Sequence, residues 1–127
     1  MTYKPDGYND LSAYLIVEGA KKLMDFLKAA FDSKELRLYG EETSVAHAEV
    51  RIGDSVLMLA DATDQWPAVR SVLHVYVPDA DEAYQRGLAA GATAVRAPTE
   101  REGDPDRRAT FEDPFGNLWS VGTQISK

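Results

Sequence analysis

Tyr14-Leu15-Ile16-Val17-Glu18-Gly19-Ala20 and His74-Val75-Tyr76-Val77-Pro78-Asp79-Ala80 lie sixty residues apart and read as one pattern written twice. In each copy an apolar stretch of strand period passes directly into a stretch of helical period. After the first, Ala20, Leu23, Met24, Leu27 and Phe31 share one helical face; after the second, Ala80, Ala83, Tyr84, Gly87 and Gly91 do. Identities between the copies are few, so the repeat rests on two periodicities falling at matching positions. A repeat of this length is a supersecondary unit rather than a short solenoid repeat. Two copies about a pseudo-axis leave a cleft between them, the kind of place where small molecules bind.

Working outward, each copy continues into three more strands. In the first, residues 12–17 form a strand and the helix runs from about Gly19 to Phe31. Alternation then marks Glu35 to Tyr39 and Val45 to Ile52, Gly53-Asp54 supplies a turn, and Val56 to Ala60 is a short apolar strand. Residues 61–69 carry turn formers and a proline and read as a linker. In the second, Val72 to Val77 is a strand, Asp79 and Glu82 make a capping box, and Gly91 suits the left-handed position past the helix. Ala94 to Ala97 and Ala109 to Glu112 follow as short strands, separated by a polar, mobile loop over 98–106 without a core-forming residue. The turn Asp113-Pro114-Phe115-Gly116-Asn117 leads into a last strand, Leu118 to Thr123. The expectation is an α+β protein, a single domain over 1–127, with βαβββ modules at 11–60 and 70–124.

Composition narrows the function. The 127 residues suffice for one domain with its own core. No apolar run approaches a membrane span, and the N-terminus lacks a signal-peptide core, so a cytoplasmic location and no membrane partner are expected. Cysteine is absent, which excludes disulfides, thiol nucleophiles and thiolate metal sites. A net charge of −7, with basic residues scattered singly or in pairs, argues against nucleic acid as a partner.

The segment His47-Ala48-Glu49-Val50-Arg51-Ile52-Gly53-Asp54-Ser55-Val56-Leu57-Met58-Leu59, the ending Asp113-Pro114-Phe115-Gly116-Asn117-Leu118-Trp119-Ser120 and the paired strand-helix units resemble the glyoxalase/bleomycin resistance/dioxygenase group, the vicinal oxygen chelate superfamily. Within it they are most similar to the PhnB-like branch. The resemblance spans about Leu11 to Gln124. It implies an open, cleft-lined mixed β-sheet barrel with helices outside, and a homodimer. Members include isomerases, lyases, ring-cleaving dioxygenases, thiol transferases and drug-sequestering proteins, so the fold does not select the activity.

The resemblance also implies a divalent metal held by His, Gln or Glu from the first and last strands of each module. Those positions carry Ser12, Val72, Ser120 and either Leu57 or Met58, the register being open by one residue. None is a credible ligand, since valine and leucine have no lone pair and a neutral hydroxyl is a weak donor beside imidazole or carboxylate. No metal and no other cofactor are therefore expected.

Without a metal, the cleft face itself is read for chemistry. With Leu15 and Val17 under the helix, Ser12, Tyr14 and Ile16 point the other way, and by the repeat so do Val72, His74 and Tyr76. Ala46, Ala48, Val50 and Ile52 read as the helix-facing side of their strand, leaving His47, Glu49 and Arg51 opposite. Glu49 can orient His47 as a general base while Arg51 holds an anionic group; the same alternation also fits a merely solvated face. By parity with Ser120 on the cleft side, Trp119 faces the helices. Trp66 in the linker can staple the modules or meet a partner. Arg107 and Arg108 can clamp an acidic ligand or pair with neighbouring carboxylates.

The ligand cleft is thus assigned to Ser12, Tyr14, His47, Glu49, Arg51, His74, Tyr76 and Ser120, binding a small molecule without metal. The alternative is a vicinal-oxygen-chelate isomerase or lyase with His47 and Glu49 as acid-base residues or an atypical metal site. A third reading, a module docking on a partner protein, has only Trp66 behind it.

Overall fold

A computed structural model describes residues 2–41 and 43–125 and places ten elements in the order β1 Tyr14–Val17, α1 Ala20–Phe31, β2 Lys34–Gly40, β3 Val45–Ile52, β4 Ser55–Asp61, β5 Val72–Tyr76, α2 Ala80–Ala89, β6 Thr93–Glu100, β7 Asp106–Glu112 and β8 Leu118–Gln124. Both βαβββ modules form, as an α+β fold. Their strands make two four-stranded mixed sheets, ordered β1-β4-β3-β2 and β5-β8-β7-β6, neither closed into a barrel. In each sheet the first strand runs parallel to the last, and the other pairs are antiparallel. The chain divides into two compact units, one built on residues up to Lys28 together with Asp32–Val69, the other on Ala29–Phe31 together with the chain from Arg70 onward.

The first unit buries the face that the periodicity marks. Leu15 and Val17 of β1, Leu23 and Leu27 of α1, Val50 of β3 and Leu59 of β4 are each 2% exposed or less. A leucine buried this fully contributes roughly 1.5–3 kcal/mol over an exposed one. Helix α1 has Gly19 as N-cap, without a capping side chain. Asp61 supplies it from the end of β4, its Oδ1 accepting from Gly19 N at 3.2 Å and Ala20 N at 2.7 Å while Oδ2 accepts from Val45 N at 2.7 Å. One carboxylate thereby joins β4, α1 and β3.

The second unit has the larger aromatic core. Trp119, Phe111 and Val121 are fully buried, so Trp119 is core as its parity indicates. Phe31 lies 5.2 Å from the Trp119 ring and 6.0 Å from Phe111. On α2 the buried residues are Ala80, Ala83, Tyr84 and Gly87. A Cβ at Gly87 would come within 2.7 Å of the Phe111 ring, so the residue least favourable to a helix interior is required by close approach. In the turn before β8, the buried Asp113 carboxylate accepts from Phe115 N, Asn117 N, Asn117 Nδ2 and Trp119 Nε1 at 2.8–3.0 Å. The DPFGN ending is thus a self-wired turn, and Asn117 Oδ1 extends it by accepting from Ser71 N at 2.9 Å.

Four local expectations are corrected. Strand β1 begins at Tyr14, so Ser12 precedes it. The polar loop expected over 98–106 shrinks to residues 101–105, because β6 reaches Glu100 and β7 starts at Asp106, which is 2% exposed. Charge pairing makes the polar stretch compatible with a sheet: Glu100 lies opposite Arg107, at 3.4 Å between side chains. Strand β4 runs through Asp61, the first residue of the expected linker. Finally, Ala46 is exposed rather than helix-facing. Tyr39 pairs with His47 but Gly40 with Val45, so Ala46 is an extra residue that breaks the alternation.

Candidate functional site

The first sheet carries a concavity of about 520 Å³ on the face away from α1, lined by Tyr14, Ile16, Ala46, Ala60, Asp61, Thr63 and Trp66. Strand pairing places most of these groups. Tyr14 and Ile16 are alternate residues of β1, and Ile16 lies beside Ala60 of the parallel β4, so these three form one wall. The bulge turns Ala46 into the same space. Past β4, Thr63 Oγ1 accepts from Trp66 N at 3.0 Å and Thr63 N donates to Trp66 O at 2.9 Å, closing a turn that presents the indole, 67% exposed. The lining is aromatic and aliphatic except at Asp61 and Thr63. Burial pushes the Asp61 carboxyl up, but its three backbone N–H donors outweigh this and hold it below the usual aspartate value, so this end is anionic.

A chain of hydrogen bonds leads from the concavity into the sheet. Tyr14 Oη is 2.8 Å from His47 Nδ1, His47 Nε2 is 2.8 Å from Glu49 Oε2, and Tyr8 Oη donates to Glu49 Oε1. Arg37 Nε stands 3.7 Å from Glu49 Oε1. Glu49 is only 5% exposed, which rules out the solvated-face reading for this residue. Burial alone would raise its pKa; hydrogen bonds from Tyr8 and His47 and the Arg37 charge bring it below the ordinary carboxylate value. The Tyr8 phenol moves up in return, chiefly because it donates to Glu49. Arg51 instead donates to Gly7 O at 3.2 Å, engaged with the N-terminal segment.

On the second sheet, His74 lies beside Ser120, with Nδ1 3.1 Å from Ser120 Oγ, and its ring meets Tyr76 edge-on at 4.7 Å. Desolvation, then the Arg108 charge, hold the His74 pKa below its usual value despite Asp106 nearby. Tyr76 Oη donates to Asp106 Oδ2 at 2.7 Å. Arg108 is spent on Asp104 and Asp106, at 2.8 and 3.0 Å, and Arg107 on Asp81 and Glu100. Both arginines are therefore paired with carboxylates.

Of the residues assigned to the cleft, the structure joins Tyr14, His47 and Glu49 in one network and His74, Tyr76 and Ser120 in another; Arg51 and Ser12 lie outside both. Sequence reasoning missed Tyr8, Arg37 and Asp61. Asp61 alone had a signal, an acidic residue at the end of an apolar strand. Parallel pairing also settles the open register: Tyr14 lies beside Met58 as His74 lies beside Ser120, so Met58 is the first-module counterpart, and Leu57 is buried in the core. The four positions where the resemblance implies metal ligands then carry Ser12, Met58, Val72 and Ser120. A thioether, two hydroxyls and a valine do not fit a hard or borderline divalent ion. Among the described residues no group of three or more His, Cys, Asp or Glu could hold one.

The profile of the Glyoxalase/Bleomycin resistance protein/Dioxygenase superfamily matches residues 11–121. The chain belongs to this superfamily. An uncharacterised protein of Mycobacterium bovis is 36% identical over 127 residues, covering 91% of this chain and 83% of the relative. Among solved structures of the glyoxalase-like fold, TioX from Micromonospora sp. ML1 matches with a TM-score of 0.76 at 20% identity, covering 91% of this chain and 98% of that one. A PhnB protein from Bacillus cereus matches with a TM-score of 0.67 at 18% identity, covering 91% and 99%. At these identities the structural likeness is one of fold. Among the described residues no helix is long and apolar enough to cross a membrane.

Proposed function

We propose that this superfamily member binds a small molecule in the concavity of its first sheet, and does so without a metal. The observation that carries the reading is the lining itself. A space of about 520 Å³ lies within the usual size of small-molecule sites, and its aromatic and aliphatic walls end in the polar groups Asp61 and Thr63. Such a site suits a flat, largely apolar molecule that lies against Trp66 and Tyr14 and presents a hydrogen-bond donor to the carboxylate end. We assign the protein to the PhnB-like branch on the His47–Leu59 segment and the Asp113–Ser120 ending. Pairing into a homodimer, through the long exposed edge strand β2, belongs to the same proposal and is checked by sedimentation.

The test is a melting screen against flat aromatic compounds, followed by titration of the exposed Trp66 emission. A ligand that binds the native state raises the melting temperature. Trp66→Ala is expected to weaken the best hit about tenfold with little loss of stability, as for removal of one aromatic platform. A broad screen without a hit removes the reading.

One observation favours a second reading, an isomerase or lyase with His47 and Glu49 in acid-base roles: the imidazole and a buried carboxylate are joined at 2.8 Å. Undiminished turnover in His47→Ala and Glu49→Gln would remove it.

A further inference from the structure

His47 reads from the sequence as the base of the site, yet both of its ring nitrogens are already engaged, Nε2 by Glu49 and Nδ1 by Tyr14, each at 2.8 Å. Tyr14 and Tyr39 also flank the ring, with centroids at 5.5 Å and 6.2 Å. The group in this chain that reaches the ligand space is Tyr14, 47% exposed and part of the concavity wall. Ionised Glu49 can only accept, so the His47 Nε2 proton points at it whatever the state of the ring. With imidazole neutral, Nδ1 is then a bare acceptor, the Tyr14 hydroxyl donates to it, and the remaining lone pairs of Oη are open to a ligand donor.

We propose that Tyr14 is the acid-base group of the concavity, with His47 as its proton store and Glu49 and Tyr8 as positioning residues. This follows the logic of a nucleophile–histidine–carboxylate triad with a phenol at its head. A ligand O–H donates to Tyr14 Oη. As that O–H bond breaks, its proton passes to Oη, the Tyr14 proton passes to His47 Nδ1, and a new N–H bond forms there. The ligand keeps the electron pair as an oxyanion hydrogen-bonded by Tyr14, and the imidazolium lies against the Glu49 carboxylate. No metal or co-reactant enters the balance. Around this path stand Glu49, Arg37 and Tyr8 on one side, Tyr39 against the ring, and Asp61 in the concavity wall. The proposal rests on the concavity being the ligand site.

The probe is 4-nitrophenol, whose phenolate absorbs visibly, added to the wild-type protein while Trp66 emission reports binding. Bound probe is expected to ionise more readily than free probe, with its apparent pKa lowered by about one unit, a tenfold change in the ionisation constant. Tyr14→Phe and His47→Ala should still bind it, seen as quenching, and should return its ionisation to the free value. Melting curves of both variants, whose changes are at partly exposed positions, separate this from misfolding. Glu49→Gln should reduce the shift and Glu49→Asp restore part of it. Quenching without a pKa shift, or an equal shift in Tyr14→Phe, overturns the proposal while leaving the concavity as a binding site. No quenching and no melting change in the wild type also overturns it, while the melting screen against flat aromatic compounds decides separately whether the concavity is a binding site.

Discussion

On β3 of the first unit, three successive residues of one strand face are His47, Glu49 and Arg51; at the matching positions of β7 in the second stand Arg108, Thr110 and Glu112. The scaffold around them is the same, a first strand parallel to the last and a three-strand meander after the helix. In the first unit the face carries a coupled phenol–imidazole–carboxylate chain that ends at a concavity. In the second, arginine replaces imidazole, and the nearby carboxylates Asp104 and Asp106 pair with it. The most deeply wired acid of that unit, Asp113, serves a turn instead. The difference teaches that one supersecondary unit, used twice, can wire its ionisable groups into a hydrogen-bonded chain beside a concavity in one copy and into ion pairs and a turn in the other.

The largest expected effect tests the stability half. Asp113→Asn leaves a single acceptor oxygen where four donors converge and sets an amide against Trp119 Nε1 and Asn117 Nδ2. A loss of about 3 kcal/mol is expected in urea unfolding, and a loss within error of zero would break the comparison. Next comes Asp61→Ala, which strips three backbone N–H groups of their acceptor at the joint of α1, β3 and β4. About 2 kcal/mol should be lost, and ligand affinity with it, because the same carboxylate lines the concavity.

Two pH windows sharpen the contrast further. Glu49 has a folded pKa below its ordinary 4.5, so its contribution is fully present above that value and is lost as pH falls through the lower folded one. The stability advantage of the wild type over Glu49→Gln should therefore shrink below pH 4.5. His74 also has a lowered folded pKa, relative to 6.5, but as a base. The unfolded chain takes up the proton first, so stability declines as pH drops below 6.5 and recovers above it. His74→Gln should flatten that slope. Because His74 is exposed, this is the smallest of the expected effects, and a slope unchanged by the substitution would detach it from the second network.

Local periodicity was enough to place every strand and both helices to within a few residues, because alternation and helical spacing depend on neighbours along the chain. It failed at Ala46, where a bulge interrupts the alternation, and at 98–106, where cross-strand charge pairs extend a hairpin through polar residues. For the site, His47 and Glu49 were legible as a pair two residues apart on one strand. Tyr8 was not, since the contact it makes with Glu49 spans 41 positions.

From its order of residues this chain specifies two βαβββ modules and a repeat of sixty residues, and it places no strong metal donor where the family resemblance implies ligands. Those follow from short-range patterning and from side-chain chemistry. Tertiary structure alone decided that Met58, not Leu57, is the counterpart of Ser120, that Glu49 is buried, and that Tyr14 rather than His47 lines the concavity of the first sheet. Each depends on strand register and hydrogen bonds between residues far apart in sequence, where a shift of one residue turns every side chain to the opposite face.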